Sequence, residues 1–158
     1  MMGSKALWIR GAVAALAFAV PAIALAQLPN TYQTPGATLK VDAKRVCAAD
    51  FEASLKPVAN WQRDQALERY GERPESFKGD VDHLVPVLLG GSNDPDNLWP
   101  MHGTGDMTPE AKVHLAERLH QLVCDGKVSL KDAQNAFKKD WTKSYKQYMG
   151  ALNAPGGN

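Results

Sequence analysis

Residues 80–97 read DVDHLVPVLLGGSNDPDN. Val81, Leu84, Val85, Val87, Leu88 and Leu89 form a short apolar run that stops at Gly90-Gly91. Asp94-Pro95-Asp96 adds a second turn signal, and Leu98-Trp99 follows. An apolar run of this length, bounded by Gly, Pro and Asp clusters, reads as a strand, a loop and a returning strand, hence a β-hairpin. The polar residues inside it can carry chemistry. An imidazole titrates near neutral pH, so His83 can act as a base toward water. Asp82, its neighbour, offers hard oxygen ligands. Neighbours on a strand point to opposite faces, so bringing both to one site requires a local twist or bulge. Asn97 can hydrogen-bond across the hairpin and fix either the backbone or the imidazole of His83. Each piece alone has a bland reading as a chance pair or a turn residue. The combination of Asp-His, a Pro three residues later, a Gly-Gly turn and Asn-Leu before a helix is more specific.

Downstream, residues 102–107 read as a Gly-containing loop, Thr108 as an N-cap and Pro109 as the first helical residue. Glu110 falls in the first turn, where a negative charge suits the helix dipole. Val113, Leu115, Ala116, Leu119, Leu122 and Val123 recur at helical spacing until Asp125-Gly126. Ser129 and Asp132 open a further helix with a stripe of Leu130, Ala133, Phe137, Trp141, Tyr145 and Tyr148. Lysines cover its other face, which reads as solvation. Upstream, residues 45–55 are partly helical, and Asn60 caps a helix over 61–70 that Gly71 ends. Arg63, Arg69 and Arg73 make either a solvated face or a phosphate-steering one.

Residues 1–26 carry the pattern of a secretory signal peptide: Lys5 and Arg10, an apolar run over 11–19, Pro21, and Ala24-Leu25-Ala26 as the cleavage site. The alternative is a membrane anchor, for which the run is short. The expected organisation is therefore signal peptide 1–26, irregular arm 27–40, one domain over 41–150 and a flexible tail 151–158, in a protein exported to the periplasm or beyond. The leader holds two of the 18 basic residues and none of the 17 acidic ones, so the remainder is formally −1. That balance excludes a strongly basic nucleic-acid coat, and any phosphate contact must come from local clustering. In an oxidising compartment Cys47 and Cys124 favour one disulfide, the alternative being two buried free thiols.

The run DVDHLVP (80–86) resembles the first motif of HNH endonuclease domains, including those of RNA-guided CRISPR nucleases. The wider chain is similar to small exported bacterial HNH-type proteins: TPGA (34–37), Cys47, Tyr70-Gly71, GGSNDPDNLWP (90–100), RLHQLVCDGK (118–127) and residues 131–148 all match that pattern. The resemblance implies an α+β fold with a ββα-metal core of hairpin plus helix and additional flanking helices. It implies His83 as general base, Asp82 as first metal ligand, Asn97 as the residue that orients the histidine, and products with 5′-phosphate and 3′-hydroxyl ends. The family's third ligand, a His or Asn near the start of the following helix, falls at Thr108, a poor ligand for a hard cation. Glu110 and His114 lie four residues apart on one helical face and are the replacements proposed to complete the site with Asp82. The other reading makes Glu110 a dipole partner and His114 an exposed polar residue. His102 and Asp106 are further candidates.

The expected function is a metal-dependent endonuclease that hydrolyses DNA, and RNA in the broader reading, with one divalent ion. Magnesium or manganese suits an oxygen-rich site, and a histidine ligand admits zinc or nickel. Binding would run through backbone phosphates. Two alternatives stand beside it: a catalytically inactive HNH-fold module that binds nucleic acid or protein, and a small structural protein of the cell envelope.

Overall fold

The computed structural model describes residues 28–101 and 108–150. The leader, the loop holding His102 and Asp106, and the tail from 151 onward lie outside the described residues. The described chain is α+β: helices α1 (Ala43–Val46), α2 (Asn60–Arg69), α3 (Pro109–Cys124) and α4 (Leu130–Met149) around a two-stranded antiparallel sheet of β1 (Asp80–His83) and β2 (Leu98–Met101).

The hairpin forms where expected but is shorter than the apolar run. Its register pairs Asp80 with Met101, Asp82 with Trp99 and His83 with Leu98. Past His83 one more bond joins the arms, from the Leu84 N–H to the Asn97 carbonyl at 2.7 Å, and the chain then leaves the ladder. Pro86 has no N–H to donate, and Val87–Leu89 coil into a 3₁₀ turn. The side chain of Asn97 takes over the pairing: its Oδ1 accepts from the Val85 N–H at 2.8 Å and its Nδ2 donates to the Val85 carbonyl at 3.0 Å. Gly90 turns with φ +76°, and a Cβ on Gly91 would stand 1.8 Å from the Val85 carbonyl oxygen. Only glycine lets the backbone pass that close.

A two-stranded hairpin is marginal by itself and needs a helix against its apolar face. Here α2 lies against both strands, and α3 and α4 close the core on Trp99 and Met101. Leu84, Val85, Leu89 and Trp99 share one core with Leu115, Leu119, Phe137 and Trp141. The sequence-predicted stripe of α4 is split between fully buried Ala133, Phe137 and Trp141 and half-buried Leu130, Tyr145 and Tyr148. The helix breaks at Asp140 (φ −168°, ψ 95°), whose carboxylate accepts from the N–H groups of Thr142 and Lys143 at 3.1 Å each and so caps the second half.

Helical structure over 45–55 reduces to α1 and a 3₁₀ turn at Glu52–Ser54. Asn60 is the first helical residue of α2 rather than its cap. The cap is Ala59, whose N–H donates to Gln62 Oε1 at 2.9 Å. The arm before α1 is irregular and fastened. Thr34 is buried and donates to the Leu98 carbonyl at 3.1 Å, and the Leu39 N–H reaches the Gly90 carbonyl at 2.8 Å. Cys47 and Cys124 form a disulfide that ties the end of α1 to the end of α3. Among the described residues no helix is long and apolar enough to cross a membrane.

Candidate functional site

Asp82 and His83 close β1 and both line one cleft, of about 230 Å³, walled by Pro86, Leu88, Pro109 and Val113. Ending the strand at His83 is what lets two consecutive side chains reach the same space. A larger cavity of about 750 Å³ lies beyond, lined by Arg45, Phe51, Lys56 and Asn93 among others. The smaller cleft is the candidate site, because it holds an imidazole beside a carboxylate.

The imidazole is held from one side. His83 Nε2 lies 2.8 Å from Asn93 Oδ1, and Asn93 Nδ2 donates to the Lys56 carbonyl at 2.8 Å. Among the described residues Nδ1 has no hydrogen-bond partner. Asn97, expected to fix either the backbone or the ring, acts on the backbone. Fully buried, it spends its amide on Val85 and on the Ser92 carbonyl at 2.9 Å. It therefore shapes the loop that carries Asn93, and Asn93 is the side chain that touches the histidine.

Asp82 meets a cation from the protein. Lys112 Nζ stands 2.8 Å from Asp82 Oδ2, donates to the His83 carbonyl, and lies 5.4 Å from the centre of the Phe137 ring. Its side chain is only 5% exposed, against 34% for Asp82. Burial pushes the Lys112 ammonium below its ordinary pKa, and the Asp82 carboxylate offsets part of that shift. Oδ2 of Asp82 is buried, so the exposed part of this side chain leaves Oδ1 as the oxygen open to a ligand.

Glu110 and His114 are not brought to this cleft. Pro109, Lys112, Val113 and Ala116 present the α3 face that lines it, while Glu110 and His114 are exposed one step round the helix. Glu110 is held below the usual carboxylate range by the Thr108 hydroxyl, by its own backbone N–H and by the nearby His114. This is the helix-terminus role, which its first-turn position explains. Thr108 caps α3, accepting from the Ala111 N–H at 3.3 Å. Of the expected set of Asp82, Glu110 and His114, only Asp82 lines this cleft, and the second carboxylate that lines it is Glu52, from the 3₁₀ turn after α1.

Among those residues one group of three potential ligands does converge: Cys47, His120 and Cys124. Both sulfurs are joined to each other, and His120 Nε2 lies 3.0 Å from the Val46 carbonyl, so this group is structural. At the cleft the oxygen ligands on offer are the carboxylates of Asp82 and Glu52, of which Asp82 is already paired with the Lys112 ammonium.

The arginines of the α2 region are partly spent in structure. Arg69 pairs with Asp96, and Arg63 lies 2.9 Å from Asp64. Two site residues escaped the sequence reading. Lys112 had a visible signal: it stands in the stripe of Ala111, Leu115, Ala116 and Leu119, where the helical period demands an apolar residue. Asn93 had none, since its place in a Ser-Asn-Asp turn looks like turn chemistry.

No family model, curated protein or solved structure matches this chain.

Proposed function

We propose that the protein is an exported phosphodiester hydrolase of the HNH type that cuts DNA, with His83 as general base. The observation that carries this reading is the half-buried His83, anchored through Nε2 and open at Nδ1, beside Asp82 in a cleft at a strand end. The chain order β1, β2, α3 is the ββα order that the DVDHLVP resemblance leads one to expect. Nδ1 takes a proton from water as the water oxygen bonds to phosphorus. The P–O3′ bond breaks, and the leaving oxygen is protonated from solvent. A divalent ion, magnesium or manganese in preference to zinc or nickel, would be held by Asp82 Oδ1 and the substrate phosphate, and would neutralise charge on the phosphate and leaving oxygen. Such an ion shares its ligands with substrate, so its affinity rises when nucleic acid is present.

The test is plasmid cleavage by the chain lacking residues 1–26, with each of the four metals and an EDTA control, alongside His83→Ala. Metal-dependent nicking that disappears in His83→Ala, and that weakens as salt rises, is the expected result. Cleavage that persists in His83→Ala removes the base from the proposal. A second reading, an inactive HNH-fold binding module, is favoured by the Lys112 ammonium that already pairs with Asp82 at the cleft. It is selected if no metal supports cleavage while nucleic acid still binds.

A further inference from the structure

We infer that Asn93 is a positioning residue that selects Nδ1 of His83 as the basic nitrogen, and that the Lys56 carbonyl fixes Asn93 in that role. The inference follows from donor and acceptor identity. A peptide carbonyl can only accept, so the Asn93 atom 2.8 Å from the Lys56 carbonyl is the NH₂ group. Its other end, 2.8 Å from the ring, is then the carbonyl oxygen, and the ring nitrogen facing it carries the proton. Turning the amide over would set two acceptors against each other at Lys56 and two N–H donors against each other at a protonated Nε2. With the proton on Nε2, the neutral ring keeps its lone pair on Nδ1. The bond also survives the reaction: when Nδ1 gains a proton, Nε2–H still donates to Asn93 and the ring does not turn.

The anchor is built from two separate segments. Asn97 holds the Ser92 carbonyl at 2.9 Å, next to Asn93, and the Asn97 N–H returns to the Asp94 carbonyl at 2.8 Å. Lys56 comes from the stretch after the Glu52–Ser54 turn, 37 residues before Asn93. Pro57 follows it and restricts its backbone to an extended form. Among the described residues no hydrogen bond or ion pair joins Asn93 or Lys56 to Asp82 or Lys112.

The catalytic consequence rests on the hydrolase reading of His83; the proton position does not. The experiment therefore has two arms on the chain lacking residues 1–26. In the first, ¹⁵N-histidine spectra are recorded where His83 is neutral. A single Nε2–H form with a ring proton protected from solvent exchange is expected, lost in Asn93→Leu and kept in Asn93→Asp, which retains an acceptor. In the second, Asn93→Leu lowers kcat for plasmid nicking by about 10- to 100-fold, the range typical of partners that orient a functional histidine, with KM unchanged. Asn93→Asp, which keeps the acceptor toward the ring but loses the donor to the Lys56 carbonyl, falls between the parent and Asn93→Leu. A proton on Nδ1 in the unaltered chain, or a protected Nε2–H unchanged in Asn93→Leu, overturns the inference. If the spectra behave as expected and no variant or parent cleaves DNA, the hydrolase reading fails and the assignment of Asn93 stands.

Discussion

Lys112 holds two consecutive residues of β1 at once: its ammonium lies 2.8 Å from the Asp82 carboxylate and also donates to the carbonyl of His83. One side chain from α3 thereby fixes the strand end on which the cleft is built. The cost of burying that charge is offset by its two oxygen partners and the face of Phe137. Lys112→Met fills the same volume but leaves the His83 carbonyl and Asp82 Oδ2 without their donor. A loss of about 1–3 kcal/mol is expected. Urea unfolding of the two proteins measures it, and an unchanged midpoint would mean that the ion pair contributes nothing.

Asn97 supplies both a donor and an acceptor to the backbone, so the two obvious replacements separate its roles. Asn97→Ala strands the Val85 N–H and the carbonyls of Val85 and Ser92 in the interior, at a cost of about 2–5 kcal/mol. Asn97→Asp keeps the acceptor but sets a carboxylate against two carbonyls. It is expected to destabilise at least as much at neutral pH and to recover in part in acid, when the carboxyl can donate again. Thermal melts across pH check this order.

The disulfide spans 77 residues of sequence. Closing a loop of that length contributes about 4 kcal/mol in the chain-entropy description. The Cys47→Ala, Cys124→Ala double variant should lower the melting temperature, and a reductant should bring the parent close to the same value. A reductant that leaves the melt unmoved would show that the bond is absent in solution.

Asp140 offers a pH test of the break in α4. Against the upward push of burial, the Thr142 hydroxyl, the Lys143 N–H and the Lys143 ammonium hold its carboxyl below the ordinary 3.8. A depressed folded-state pKa stabilises the fold above the unfolded value, and that contribution is lost as pH falls through the folded one. Asp140→Ala should therefore cost about 0.5–2 kcal/mol near neutral pH, as loss of a helix cap does. The gap from the parent should narrow as pH falls through the folded-state value, below the ordinary 3.8. Urea midpoints at both ends of that range measure it, and a gap independent of pH would exclude the carboxylate as the cap.

Much of the fold was legible in order of residues because its signals are local. Thr108-Pro109 opens α3, Ser129 opens α4, and Gly90-Gly91 turns the hairpin through backbone geometry that short-range sterics impose. Asp82 and His83 stand out in the sequence by their chemistry alone. The break at Asp140 was not legible, because a capping Asp inside a periodic stripe looks like one more exposed polar residue.

The partners of the site residues were decided only in three dimensions. Glu110 and His114 share a helical face, but the rotation of α3 that buries Leu115 and Leu119 turns Pro109, Lys112 and Val113 to the cleft instead. Lys56 meets Asn93 across 37 residues, and Lys112 meets Asp82 across 30, at distances set by how the hairpin, the arm and α3 pack. Sequence by itself determined which residues could act as base, ligand, cap or turn, since those are properties of single side chains and their near neighbours. Packing determined which of them meet, since the choice among many compatible polar partners is made by the apolar faces that must be buried together.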